Sequence, residues 1–124
     1  MNMMATGNDE ESGCIGEPHH ELAPELRPAE EKTCARAAGI FRALGDLSRL
    51  RLLSLLANRE MCVTELTECL KDNLPAVSQR LKLLRAERIV VTRRQGKHIF
   101  YKLADSHIAH LIANGLAHGE EPDE

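Results

Sequence analysis

The chain has 124 residues, enough for one domain with a modest core, and that core must be aliphatic because Trp is absent and Phe and Tyr together number three. Its net charge of −3 is segregated: residues 1–31 carry eight acids and one base, residues 32–119 fifteen bases and seven acids, and residues 120–124 four acids. No stretch approaches the roughly 18 apolar residues of a membrane span, and no signal-peptide core is visible, so we expect a cytoplasmic protein without a membrane partner.

The order of hydrophobic patterns predicts one folded domain between two acidic tails. Residues 1–28 lack periodicity and are predicted to be a disordered tail, residues 29–119 form the domain, and residues 120–124 form the second tail. Gly45 ends the first predicted helix, while Asp46 and Asn73 are suited to cap the helices that follow them. Four helices are predicted at Ala29–Leu44, Leu47–Asn58, Val63–Leu70 and Leu74–Glu87.

The hydrophobic period changes after the fourth helix. The runs at 89–92 and 98–101 are rich in β-branched and aromatic residues, and they flank a basic turn that contains Gly96. Asp105 then opens a last helix that ends near Gly119. A helix pair followed by a basic hairpin predicts a mainly α fold with a small β-hairpin, the order of a winged helix-turn-helix.

The second helix of the predicted pair and the hairpin carry side chains suited to DNA. Gln and Arg can read base edges through paired hydrogen bonds, whereas Lys and Ser suit phosphates. Since residues 32–119 are basic, double-stranded DNA is the predicted partner. The predicted DNA-binding residues are Ser78, Gln79, Arg80, Lys82 and Arg85 on the helix, and Arg93, Arg94 and Lys97 at the hairpin.

The last helix carries four residues of the kinds that bind zinc: Asp105, His107, His118 and Glu121. His107 and His118 share a helix face but lie about 16 Å apart along the axis at 1.5 Å per residue. Zinc holds each ligand at roughly 2 Å, so one helix cannot close all four around one ion. A metal site made of these residues must therefore form between two chains, which predicts a homodimer through the terminal helices.

The four cysteines show no paired CxxC spacing, which favours thiols or metal ligands over disulfides in a reducing compartment. Cys34 falls on an apolar helix side together with Phe41, and Cys69 falls on the apolar side of the third helix. Both are therefore predicted to be core residues.

Four segments together resemble the ArsR/SmtB family of bacterial metal-sensing repressors. They are Leu44–Leu53 (LGDLSRLRLL), Met61–Leu66 (MCVTEL), Pro75–Leu84 (PAVSQRLKLL) and Arg94–Tyr101 (RQGKHIFY), and the resemblance covers about residues 30–121. One departure is Gln79, where the family often has His. The resemblance implies a dimeric winged-helix repressor that leaves its operator when metal binds, releasing genes for metal efflux or sequestration.

The resemblance also bears on the metal sites. In the family, the last-helix pattern matched by Asp105, His107, His118 and Glu121 is the zinc-sensor pattern. Two imidazoles and two carboxylates suit tetrahedral zinc, with cobalt also a candidate, whereas thiolates favour softer ions such as cadmium. A second, thiolate-containing site is implied by Cys62 and Glu65 of the helix-turn-helix together with Cys14 and His19 or His20 of the tail. Thr64 stands where a second Cys occurs in some members, which argues against a purely thiolate site.

Three alternatives stay open at this level. A winged-helix regulator of the same fold could sense no metal, with its His and Cys residues incidental. A metal-buffering protein is opposed by the basic middle of the chain. A hydrolase is opposed by the absence of an HExxH motif or another catalytic spacing, so we expect neither an enzyme nor a small-molecule substrate.

Overall fold

The computed structural model describes residues 24–123 of a chain that divides into two units, Met1–Glu30 and Glu31–Glu124. The described part of the first unit contains one short 3-10 turn, Pro24–Leu26. In the second unit, the described elements are α1 (Glu31–Leu44), α2 (Leu47–Leu56), β1 (Met61–Cys62), α3 (Val63–Leu70), α4 (Leu74–Ala86), β2 (Val90–Gln95), β3 (His98–Leu103) and α5 (Ser106–Gly119). The predicted helix pair followed by a hairpin is confirmed, with helix ends within two residues of their predicted positions.

Side chains cap three of the helices at their N-termini. Asp46 accepts a hydrogen bond from the backbone N–H of Arg49 at 2.9 Å, and Asn73 accepts one from Ala76 at 2.9 Å. Asp105 caps α5 in the same way. Each bond satisfies one of the N–H groups that have no partner within the helix, which stabilises a helix by about 1 kcal/mol.

The sheet has three antiparallel strands in the order β1-β3-β2. The predicted hairpin is confirmed, and Gly96 adopts a left-handed φ of 62° in its turn. The sequence did not indicate β1, whose two residues pair Met61 with Tyr101 and Cys62 with Phe100. A two-residue strand has no detectable alternation, so only its pairing with β3 defines it. This pairing ties the wing to the start of α3.

A single aliphatic cluster joins the helices to the sheet. The buried residues are Ala43, Leu52, Leu53, Leu56, Met61, Leu66, Val77, Leu81, Leu84, Ile89, Val90, Ile108 and Ile112. Each of the five α-helices supplies at least one of these residues, as do β1 and β2, so α4 and α5 are held on one common core. None of the helices between residues 24 and 123 is long and apolar enough to cross a membrane.

The predicted burial of Cys34 and Cys69 is wrong, because both side chains are exposed. Phe41, on the same apolar side of α1 as Cys34, is 58% exposed. Helical periodicity identifies an apolar face, but it does not say whether the same chain covers that face. In the described part of the chain, α1 buries only Ala43 fully and leaves most of this face uncovered.

Candidate nucleic-acid interface and metal-ligand pairs

Helix α4 lies on the core through one side and presents the opposite side to solvent. Val77, Leu81 and Leu84 are fully buried, and their spacing of three to four residues places them on one face. Gln79 and Lys82 are exposed on the other side. The neutral side chain of Gln79 and the positive side chain of Lys82 therefore point away from the domain, where they are available for contacts to bases and phosphates.

The wing-facing flank of α4 borders a groove. The groove has a volume of about 510 Å³ and is lined by Ser78, Leu81, Lys82, Arg85, Ala86 and Tyr101. Lys82 and Arg85 make one side of it positive, and among the described residues neither side chain makes an ion pair that would neutralise it. The groove suits a phosphate backbone that runs between α4 and the wing.

Arg80 differs from its neighbours on α4. The sequence predicts a DNA-binding residue, and the structure places Arg80 on the flank that faces the turn after α3, with 22% of the side chain exposed. Its Nη1 lies 2.8 Å from Oδ2 of Asp72. The prediction missed this pair because Asp72 is eight residues away in sequence, and only the fold of the turn brings the two together.

The carboxylate of Asp72 is held in its charged form. The backbone N–H of Asn73 donates to Oδ1 at 2.8 Å, and this bond lowers the pKa of Asp72 together with the bond from Arg80. Hydrogen bonds and a nearby positive charge both favour the ionised carboxylate.

Of the three basic residues predicted at the wing, Arg93 is engaged within the domain. Its Nε lies 2.8 Å from Oε1 of Glu60, its Nη1 donates to Oε1 of Gln95 at 2.9 Å, and its guanidinium lies 4.9 Å from the centre of the Phe100 ring. These contacts hold the wing to the segment before β1. Its neighbours at the tip, Arg94 and Lys97, are exposed and form no ion pair with any described residue.

The four candidate ligands of α5 form two pairs, one at each end of the helix. At the N-terminus, Nδ1 of His107 lies 3.9 Å from Oδ1 of Asp105. At the C-terminus, Nδ1 of His118 lies 3.4 Å from Oε1 of Glu121, and the backbone N–H of Glu121 donates to the carbonyl of His118 at 3.1 Å. All four side chains are more than half exposed.

Each pair offers one imidazole and one carboxylate, which is half of a tetrahedral zinc site. Among residues 24–123, no three His, Cys, Asp or Glu side chains of one chain cluster closely enough to hold a metal ion. Asp105 uses Oδ1 to cap α5 through the N–H of Ile108 at 3.0 Å, and its Oδ2 is the oxygen that remains for a ligand. The donor set therefore fits zinc, provided that the two ends of α5 are joined by another chain.

Cys62 and Glu65 lie together at the start of α3. Oε1 of Glu65 accepts the backbone N–H of Cys62 at 3.0 Å, and Oε2 lies 2.7 Å from Nη2 of Arg59. The bond from Cys62 is the main cause that lowers the pKa of Glu65, with Arg59 adding to it. A metal at Glu65 has to compete with both contacts. The other predicted members of this site, Cys14, His19 and His20, lie outside the described residues.

Comparison with known proteins identifies related sequences across most of the chain. The profile described as "Bacterial regulatory protein, arsR family" matches residues 46–92, which run from the cap of α2 into β2. The chain is 39% identical over 103 residues to a "Transcriptional repressor SmtB homolog" from Synechocystis, an alignment that covers 83% of this chain and 76% of that protein.

Solved structures agree with the sequence comparison. The homodimeric winged helix-turn-helix DNA-binding domain of a possible ArsR-family regulator from Mycobacterium bovis superposes with a TM-score of 0.69 and 27% identity, covering 80% of this chain and 94% of that one. The antimony-specific transcriptional repressor AntR superposes with a TM-score of 0.67 and 30% identity, covering 82% and 96%. The winged helix-turn-helix architecture is therefore shared with DNA-binding regulators.

Proposed function

Because the chain belongs to the arsR family of bacterial regulatory proteins, a family of transcriptional regulators rather than enzymes, we propose that it is a homodimeric repressor released from its operator by zinc. The observation that carries the proposal is the pairing of one imidazole with one carboxylate at each end of α5. The same domain exposes one side of α4 to solvent. The genes it controls are then those for metal efflux or sequestration.

The DNA-binding part of the proposal is supported by the charge and geometry of α4 and the wing. Gln79 and Lys82 point outward on α4, and Arg94 and Lys97 are exposed at the wing tip. A recognition helix in the major groove with a wing on the adjacent backbone uses both surfaces at once. The phosphate contacts supply affinity, and Gln79 is suited to read adenine through paired hydrogen bonds.

The homodimer is supported by apolar surface that the chain leaves exposed. Phe41 on α1 is 58% exposed, and Leu111 on α5, which lies one turn from His107, is 37% exposed. Large apolar side chains that are exposed on two helices are stabilised when a second copy covers them. The related domain from Mycobacterium bovis is homodimeric. A two-fold axis then generates two identical half-sites for DNA.

The metal-binding part is supported by the division of the four ligands between the two ends of α5. In an antiparallel arrangement of two α5 helices, the pair Asp105 and His107 of one chain meets His118 and Glu121 of the other. Zinc would supply a tetrahedral link between the subunits at that point. Asp105, as the cap of α5, ties the ligand set to the core through Ile108.

Repression ends if the metal-bound dimer holds the two α4 helices at a spacing that does not match the operator. The free energy for this change must come from a higher affinity of zinc for the arrangement with low DNA affinity. Within one chain the two ligand pairs lie at opposite ends of α5, so the response depends on the dimer.

The test is a fluorescence-anisotropy titration of a DNA duplex that the wild-type protein selects from a random library, with and without zinc. We expect zinc to release the wild type but not His118→Ala. His110→Ala is the matched control, since His110 is an exposed histidine of α5 outside the ligand set. Release of His118→Ala by zinc at the wild-type concentration would remove α5 as the switch. If zinc fails to release the wild type, the chain is a winged-helix regulator that does not sense zinc.

The second metal site at Cys62 stays a separate prediction, and cobalt absorption spectroscopy distinguishes it from the α5 site. Strong thiolate charge-transfer bands that vanish in Cys62→Ser would assign cobalt to Cys62. A tetrahedral d–d spectrum without thiolate bands would assign it to the imidazoles and carboxylates of α5.

A further inference from the structure

An ion pair spans the two helices that form the helix-turn-helix. Asp72 lies in the turn between α3 and α4, and Arg80 lies two turns into α4. Their contact of 2.8 Å joins the turn to a flank of α4, beside the exposed side of the helix that faces DNA in the proposed function. Among residues 24–123, Arg80 is the only basic residue of α4 that forms an ion pair.

The carboxylate of Asp72 is a rigid support for this contact. Lys71, just before it, has the left-handed φ of 56°, which reverses the chain at the end of α3. The N–H of Asn73 donates to one oxygen of Asp72, and Arg80 binds the other. Asn73 itself caps α4 through Ala76. The carboxylate is thus fixed relative to the first turn of the helix on which Arg80 lies.

Asp72 leaves Arg80 able to make further contacts. A guanidinium carries five N–H donors in a planar fork, and one contact to Oδ2 leaves enough of them for two parallel hydrogen bonds to the O6 and N7 atoms of guanine. The side chain is still 22% exposed. A free arginine would lose considerable rotamer entropy on binding a base, whereas one already held by a carboxylate loses less.

We propose that Asp72 is a positioning residue for DNA recognition: it orients the guanidinium of Arg80 toward a guanine of each half-site and thereby sets the base preference at that position. The inference rests on the proposed DNA-binding function. The negative charge of Asp72 also offsets the charge of Arg80, which lowers the affinity for DNA of any sequence. The orientation of Arg80 raises the ratio of specific to non-specific affinity, whereas the charge of Asp72 acts on both affinities alike.

The two effects give Asp72→Asn an expected signature that a purely structural role would not. Loss of the fixed orientation weakens binding to the selected duplex only, while loss of one negative charge strengthens binding to the selected and the scrambled duplex alike. The dissociation constant for the scrambled duplex divided by that for the selected duplex should therefore fall about twofold to tenfold. This factor corresponds to the free-energy cost of immobilising one long side chain. A structural ion pair would instead lower the stability of the fold and both affinities together.

The experiment uses the full-length dimer and duplexes selected by the wild type from a random library. For each variant, the dissociation constants for the selected and scrambled duplexes are measured, and the base preference is read by reselection. We expect Asp72→Asn and Arg80→Lys to relax one guanine position per half-site and Asp72→Glu to restore it in part. Glu68→Gln is the matched control, because it removes an exposed carboxylate from α3 without touching Arg80.

Adding Arg80→Ala to Asp72→Asn tests whether the two residues act through one contact. The double variant should show no greater loss of specificity than Arg80→Ala alone. An unchanged affinity ratio and unchanged guanine preference in Asp72→Asn would overturn the inference, as would an equal fall in ratio for Glu68→Gln. If the wild type enriches no sequence at all, the proposed DNA-binding function itself fails.

Discussion

Asp105 has two roles that substitution can separate. Its Oδ1 caps α5 by accepting the N–H of Ile108 at 3.0 Å, and its carboxylate belongs to the proposed zinc ligands. Asn caps a helix about as well as Asp, but it carries no charge. Ala supplies neither the cap nor the ligand. Asp105→Asn should therefore weaken zinc binding with a small effect on stability, whereas Asp105→Ala should impair both.

The magnitudes follow from the contacts at the start of α5. Loss of the cap costs about 1 kcal/mol, and loss of a negative charge beside the helix N-terminus costs about 0.3 to 1 kcal/mol more. Asp105→Ala should thus lower the free energy of unfolding by about 1 to 2 kcal/mol. Asp105→Asn keeps the cap and should lower it only by the charge contribution of about 0.3 to 1 kcal/mol. Ile108, 5% exposed, lies in the same turn, so fraying of the cap also loosens the core.

The assay is urea denaturation of the metal-free protein at one fixed protomer concentration, followed by zinc titration against a competing chelator. Zinc affinity should fall at least about tenfold in both variants. His107→Ala is the control, because its side chain is 92% exposed and does not cap the helix: it should weaken zinc binding at unchanged stability. Equal stability of Asp105→Ala and the wild type would refute the cap, and unchanged zinc affinity in Asp105→Asn would refute the ligand.

Three further predictions concern the core, the wing and the start of α3. Leu84→Ala should lower the free energy of unfolding by about 2 to 5 kcal/mol in urea denaturation, since Leu84 is 0% exposed. Arg94→Ala should lower DNA affinity and reduce the slope of log affinity against log salt by the equivalent of about one phosphate contact. Arg93→Ala should in addition loosen the wing, which would be measured as faster amide exchange in β2 and β3. The pKa of Glu65 lies below its ordinary value of 4.5, so its contribution to stability is present above pH 4.5 and is lost as the pH falls through the lowered pKa. Glu65→Gln should therefore show a shallower loss of stability in acid, measured by denaturation at stepped pH, and an unchanged acid slope would contradict this assignment.

Several features follow from local sequence alone. The caps at Asp46 and Asn73 and the turn at Gly96 depend on side chains and backbone preferences within a few residues, so their prediction was correct. The spacing from Asp105 to Glu121 likewise divides the proposed metal ligands between two ends of one helix, because helical rise is fixed. These local rules are sufficient to predict the helix pair, the hairpin and the division of the four candidate ligands into two pairs.

Tertiary structure decided which of the basic side chains remain available and which apolar faces are covered. Arg80 and Arg93 look equivalent to Lys82 and Arg94 in the sequence, but the fold places a carboxylate, Asp72 or Glu60, against each of the first two. The exposure of Cys34 was missed for the same reason, since periodicity reveals a face but not its neighbour. Contacts between residues far apart in sequence depend on how the elements pack, and no local pattern encodes that packing.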